Sequence, residues 1–333
     1  MERREFMTVG LLVGAEAILG LGVGWGLGGG INFLRRHWGA SSSQISESGI
    51  NLEVKGETYP NQIYAHGRPI FMDLLGISPL EEIVDDSRTK LIPDRESEKN
   101  IADNLVTVAG INELTETPAG EVFEMKGSGG TGLQLTTDGF VLTAYHNIRG
   151  YEEDWRRINK ENPLKKTNVA SWMEDMKRKY VVVDQQRKAY PIDTTFWATN
   201  PAFDIALIKA VTEKRAGAIK FKTMEQDLKV GDEIKLLGLR DQRMYNQYGR
   251  VISSDVEWIA DGKEKPDTFL TDAYGVPGFS GGVFVSTKGE FAGLSLYIQR
   301  NGTVEIGHAG GAKVRNIVNL LKESARELNK LYQ

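Results

Sequence analysis

The chain has 333 residues, long for one domain and short for three; 26% are charged and 40% hydrophobic, the balance of a globular body. A formal net charge of −4 supplies no basic stripe, which argues against nucleic acid as a partner. The absence of cysteine excludes disulfides, thiolate zinc sites, iron–sulfur clusters and a cysteine nucleophile.

From Met7 to Leu34 the only charged residue is Glu16, and about 20 apolar residues suffice to cross a bilayer core. Residues 1–37 are therefore expected to form a transmembrane anchor or an export signal. Arg3-Arg4-Glu5-Phe6-Met7 resembles a twin-arginine signal, with Glu2 where Ser or Thr is usual. That signal would put the rest of the chain on the extracytoplasmic side. The absence of an A-x-A site near Gly39-Ala40-Ser41 favours a retained single-pass anchor over secretion after cleavage. Gly20, Gly24, Gly28 and Gly22, Gly26, Gly30 form two ladders at helical spacing. They read either as a close helix–helix packing face, and so as a homo-oligomer contact, or as a Gly-rich export signal with no packing role.

Residues 38–100 read as a Ser-rich linker followed by an N-terminal extension. Within it, Ser78-Pro79-Leu80-Glu81 predicts the start of a short helix. From Leu105 the texture changes to short strands separated by turn residues. The first set is Leu105–Ile111, Gly132–Thr136, Gly139–Thr143, Lys179–Asp184, Thr194–Ala198 and Ile205–Lys209. The second is Glu233–Gly238, Arg250–Ser254, Thr268–Thr271, Gly282–Ser286 and Glu290–Tyr297. Tyr151 to Met176 interrupts the first set as a charged helical insertion. Val314 to Leu331 carries apolar residues at helical spacing and predicts a terminal helix. The fold class expected is all-β: two packed antiparallel six-stranded barrels, about 101–212 and 218–312, closed by a helix over 313–331.

Three segments carry chemistry. Leu142-Thr143-Ala144-Tyr145-His146-Asn147 ends a strand at a histidine. Phe203-Asp204-Ile205-Ala206-Leu207 puts an acid before an apolar strand. Gly278-Phe279-Ser280-Gly281-Gly282 surrounds a serine with glycines that allow close backbone approach and positive φ. Each alone also fits a structural role. The order His, Asp, Ser is the chain order of the chymotrypsin branch of serine hydrolases. The four histidines, His37, His66, His146 and His308, show no metal-ligand clustering, so no metal is expected.

From about Ile101 to Val318 the chain resembles trypsin-like peptidases, and most of all their HtrA (Deg) branch. Further segments carry the likeness: Gly127-Ser128-Gly129-Gly130-Thr131-Gly132 before the histidine strand, Val230-Gly231-Asp232 with Leu237-Gly238, Gly249-Arg250-Val251-Ile252-Ser253, and Thr271-Asp272-Ala273 ahead of the serine loop. Phe279 departs from the Asn or Asp usual before the nucleophile, and no PDZ module is expected after the terminal helix. The resemblance implies a serine endopeptidase acting on proteins or peptides in extracytoplasmic quality control or processing, without metal or organic cofactor. His146, Asp204 and Ser280 would be its triad, and the N–H groups of Gly278 and Ser280 its oxyanion hole. It also implies that Tyr274 lies at the base of the primary specificity pocket, with Ser295, Leu296 and Tyr297 as one wall. No acid stands at these positions, so small or medium aliphatic residues are expected there rather than Lys or Arg. The alternative is an inactive trypsin-like pseudoprotease used as a binding or scaffold module. An esterase on another fold is a third reading, disfavoured by the chain order.

Overall fold

The computed structural model describes residues 51–54, 57–65, 80, 83, 91–161, 179–212, 214, 217–260, 263–299 and 307–330. The expected membrane segment Met7–Leu34 and the Ser-rich linker lie outside them, as does the Ser78-Pro79 helix start apart from Leu80 and Ile83, both helical and buried. Among the described residues no helix is long and apolar enough to cross a membrane.

The chain opens with a hairpin of β1 (Asn51–Val54) and β2 (Glu57–Pro60), then β3 (Gln62–Ala65) and helix α1 (Asp94–Asp103). The first sheet follows as β4 (Leu105–Glu116), β5 (Val122–Gln134), β6 (Phe140–Ala144), helix α2 (Tyr145–Glu161), β7 (Lys179–Val183), β8 (Ala189–Asn200) and β9 (Ile205–Ala210). Its order is β3-β8-β7-β4-β5-β6-β9, and β8 also pairs with β9, so six of its strands are paired in a ring with β3 added outside. The second half comprises β10 (Glu233–Arg240), β11 (Arg243–Ala260), β12 (Lys263–Gly275), β13 (Val283–Ser286), β14 (Phe291–Gln299) and β15 (Gly307–Lys313). These close into a barrel in the order β10-β11-β12-β15-β14-β13. Helix α3 (Val314–Lys330) ends the described chain.

Strand period decides the packing, because successive side chains leave a strand on opposite faces. In β9, Ile205 and Leu207 enter a core shared by both halves, whereas Ala206 and Ile208 pack with Val106, Val108 and Trp197. In β13, Val283 and Val285 join the shared core and Phe284 enters the second barrel's own core with Phe269 and Phe279. The amphipathic α3 lays Ile317, Leu320, Leu321 and Leu328 onto the shared core. Its start is clamped by buried Asp267, which accepts from Lys313 Nζ at 2.6 Å, Arg315 Nε at 3.1 Å and Asn316 Nδ2 at 2.9 Å.

Three features differ from the expectation. The extension, for which no contact with the first sheet is read from the sequence, adds a strand to it: β3 pairs with β8 from Gln62↔Thr199 to Ala65↔Phe196. The helix expected at Tyr151 begins at Tyr145, directly after β6, and the remainder of the insertion lies outside the described residues. β15 is a strand of sequence Gly-His-Ala-Gly-Gly-Ala-Lys, with none of the β-branched residues by which strands are read.

Candidate active site

β6 and β9 are antiparallel neighbours, and the pairing Ala144↔Ile205 sets the end of one beside the start of the other. The residue after β6 and the residue before β9 are thereby adjacent, although 58 positions separate His146 from Asp204. Tyr145 N–H donates to Asp204 O at 2.9 Å and His146 N–H to Asp204 Oδ1 at 3.0 Å. His146 Nδ1 lies 2.7 Å from Asp204 Oδ2. Asp204 is buried and sits at φ 55°, while the imidazole is 37% exposed. The carboxylate therefore orients the ring by its Nδ1 edge, and the ring still reaches the cleft.

Ser280 lies in the turn between β12 and β13, from the other half of the fold. Gly278 at φ +99° and Gly281 at φ +83° flank it in conformations that L side chains rarely adopt. The turn is pinned from the first sheet: Thr131 Oγ1 donates to Gly278 O at 2.8 Å, and Ser280 O accepts from Thr131 N–H at 2.7 Å and Asn147 Nδ2 at 2.9 Å. A Cβ on Gly130 would collide with Ser280 O, which explains the glycine there. From the second barrel, Gly281 N–H donates to Ser295 O at 2.6 Å and Ser295 N–H to Gly282 O at 2.7 Å. Within the turn, Phe279 N–H donates to Val276 O and Gly282 N–H to Phe279 O. Among the described residues the N–H groups of Gly278 and Ser280 have no acceptor. The turn thus leaves both N–H groups expected for an oxyanion hole free of a partner among the described residues.

A cleft of about 880 Å³ runs between the halves and is lined by His146, Asp204 and Ser280 together. Its apolar wall is Val276, Pro277, Leu296, Tyr297 and Ile298, with Trp258 beside them. Tyr297 stacks on Trp258 at 4.5 Å and 19°, and its hydroxyl reaches Phe269 O at 3.3 Å. Its ring covers Gly310, where any Cβ would collide with it. Burial raises the Tyr297 phenol pKa, so the ring is neutral as well as space-filling. Tyr145, also in the cleft, has its phenol pushed well up by burial and by Glu152. A second cavity of about 620 Å³ beside α3 is lined by no histidine or serine among the described residues.

The expected pocket residues separate. Leu296 and Tyr297 line the cleft; Ser295 is buried and acts through its backbone on the serine turn. Tyr274 does not line the cleft. It is 54% exposed and stands opposite His308 on β15, with the rings 6.0 Å apart. The pairing of β12 with β15 shifts between Leu270 and Tyr274. Phe279, unusual before a nucleophile, is buried and packed on Gly238 in the second barrel's core, away from the cleft lining. Thr131, Asn147, Trp258 and Tyr59 were not anticipated. Only Thr131 had a usable signal, its position inside the glycine-rich run of β5.

An imidazole oriented by a buried carboxylate, on a cleft shared with a serine whose turn presents two unused N–H donors, has the groups needed to activate a hydroxyl and stabilise an oxyanion. A family model, the trypsin-like peptidase domain, matches residues 130–294, a stretch that contains His146, Asp204 and Ser280. The fold is trypsin-like. The protease domain of MamO from Magnetospirillum magneticum, solved in its apo form, is similar at a TM-score of 0.46 and 17% identity, over 66% of this chain and 96% of that one. No curated protein matches the chain.

Proposed function

We propose that the protein is a serine endopeptidase of the HtrA-like kind, with His146, Asp204 and Ser280 as its triad. The observation that carries this reading is the pairing of His146 Nδ1 with Asp204 Oδ2 at 2.7 Å on a cleft that Ser280 also lines. Ser280 Oγ attacks the scissile carbonyl while His146 takes its proton; Asp204 holds the tautomer and stabilises the imidazolium. The N–H groups of Gly278 and Ser280 receive the developing oxyanion, each donor worth roughly 3–4 kcal/mol. His146 then protonates the leaving amine, and water hydrolyses the acyl-enzyme by the same path in reverse.

The wall of Leu296, Tyr297 and Ile298 supports cleavage after small or medium aliphatic residues. Residues 7–34 would tether the peptidase on the extracytoplasmic side of the membrane. Labelling of Ser280 by a fluorophosphonate probe, located by mass spectrometry, tests the chemistry; a wild-type chain that the probe does not label would refute it. Protease accessibility in spheroplasts tests the location, and a protected body would refute export.

A further inference from the structure

The turn Asn200–Asp204, which delivers Asp204, is held by more than its own sheet. Asn200, fully buried at the end of β8, accepts on Oδ1 from the N–H groups of Ala202 at 3.1 Å and Phe203 at 3.3 Å. Its Nδ2 donates to Tyr59 O at 3.2 Å and to Asn61 Oδ1 at 2.9 Å. Asn61, itself 2% exposed, donates from Nδ2 to Glu323 Oε2 at 2.9 Å, and Glu323 Oε1 accepts from Asn319 Nδ2 at 3.0 Å. These residues come from three distant parts of the chain: the N-terminal segment, the first barrel and α3.

We propose that Asn61 is a positioning residue for Asp204 and His146, acting through Asn200 and oriented in turn by Glu323. The proposal rests on the reading of Asp204 and His146 as catalytic. Its physical basis is the polarity of the chain of amides. A carboxamide can present either its oxygen or its NH₂, but a carboxylate only accepts. Glu323 at the end of the chain therefore requires the Asn61 NH₂ and turns the Asn61 oxygen toward Asn200. That requires the Asn200 NH₂ on the same side and directs the Asn200 oxygen at the two backbone N–H groups just ahead of Asp204. With both donors and both acceptor sites of Asn200 occupied, the turn has one orientation, and Asp204 is kept at its positive φ.

The register of β3 on β8, starting at Gln62↔Thr199, brings Asn61 beside Asn200. Tyr59, two residues earlier, packs edge-on against Phe203 at 5.5 Å and lines the cleft. The N-terminal segment is in this way a strap across the loop that carries the catalytic acid. Displacing β3 would withdraw Asn61 and release Asn200.

The test uses the full chain with Asn61→Asp, Glu323→Gln and the double variant. Asn61→Asp sets two acceptors face to face, whereas Glu323→Gln can still offer its oxygen to the Asn61 NH₂ by turning its own NH₂ toward Asn319. The double variant restores every donor–acceptor pair with the charge moved one position along the chain. Asn61→Asp should lower kcat on a peptide by about ten- to a hundredfold with KM little changed, and Glu323→Gln should stay near wild type. Asn61→Asp should also weaken the downfield Nδ1 proton resonance of His146, and the double variant should restore both. The proposal is overturned if Asn61→Asp melts lower yet keeps wild-type kcat, pH–rate profile and Nδ1 resonance. It is equally overturned if the double variant melts like wild type but does not recover them. The resonance is read in the resting protein. A wild-type chain that hydrolyses nothing would thus sink the peptidase reading alone, with the resonance still deciding this one.

Discussion

Asp204 engages His146 twice, through the backbone N–H on Oδ1 at 3.0 Å and through Nδ1 on Oδ2 at 2.7 Å. One carboxylate thus fixes both the position of the histidine's backbone and the orientation of its ring. Asp204→Asn keeps the shape but offers an NH₂ where the ring needs an acceptor, which favours the wrong tautomer. Peptide turnover should fall about 10⁴-fold. Ser280→Ala should fall further, on the order of 10⁶, with its melting temperature unchanged. Steady-state hydrolysis of a peptide library measures both, and wild-type turnover by either variant would remove that residue from the mechanism.

Gly281 is held at φ +83°, and a Cβ there would collide with the carbonyl of Thr131, the residue that pins the serine turn. Gly281→Ala should push Ser280 out of place and abolish fluorophosphonate labelling. Gly120→Ala is the control: φ is also positive, at +77°, but nothing lies within 4 Å of the added carbon. It should label at the wild-type rate. Equal labelling of the two variants would mean that the close approach to Thr131 does not position the nucleophile.

Tyr297, stacked on Trp258, fills the apolar side of the cleft, whereas Tyr274 lies outside it. Tyr297→Ala should admit larger apolar residues before the scissile bond, and Tyr274→Ala should leave the preference as in wild type. A methylene in such a pocket is worth about 1–3 kcal/mol, so the change should appear as a broadened profile. Mass-spectrometric reading of cleavage sites in a peptide library separates them. A shift caused by Tyr274→Ala alone would place the pocket elsewhere.

Asp267 ties α3 to the second barrel. Burial pushes its carboxyl pKa up, but hydrogen bonds from Arg315, Lys313 and Asn316 outweigh this and hold it below the ordinary value of 3.8. A depressed folded-state pKa means that the unfolded chain takes up the proton first as pH falls. The clamp therefore contributes fully above that ordinary value and is lost as the pH falls through the lower, folded-state one. Asp267→Ala leaves Lys313, itself largely buried, with the more distant Asp255 carboxylate at 3.8 Å, and should cost about 3–5 kcal/mol near neutral pH. Chemical denaturation from pH 7 down to pH 2 measures it, and a variant deficit that stays constant with pH would contradict the sign.

The expected strands with β-branched or large apolar residues, such as those around Val106, Val141 and Ile205, are strands in the structure, because their side chains enter cores on both faces. β15 was not legible. Its residues are small because neighbours' rings lie across them, Tyr297 over Gly310 and Phe269 with Phe284 over Gly311. A strand shaped by what covers it carries no signal of its own. Asn61 was equally silent, since an asparagine in an extension has no local pattern that reports a hydrogen bond to position 200.

The sequence by itself determined the residue types and their order: a strand-end histidine, an acid before an apolar strand, and a serine among glycines. Those requirements are local, imposed by proton transfer and by backbone conformation over a few residues. Only the tertiary structure decided which residues share the cleft. It put Tyr274 outside and Trp258 inside, turned Phe279 into a core, and joined Asn61 to the turn of Asp204. The physical reason is register. A pairing shift within a sheet redirects the side chains that follow, and that shift depends on contacts between segments far apart in the chain.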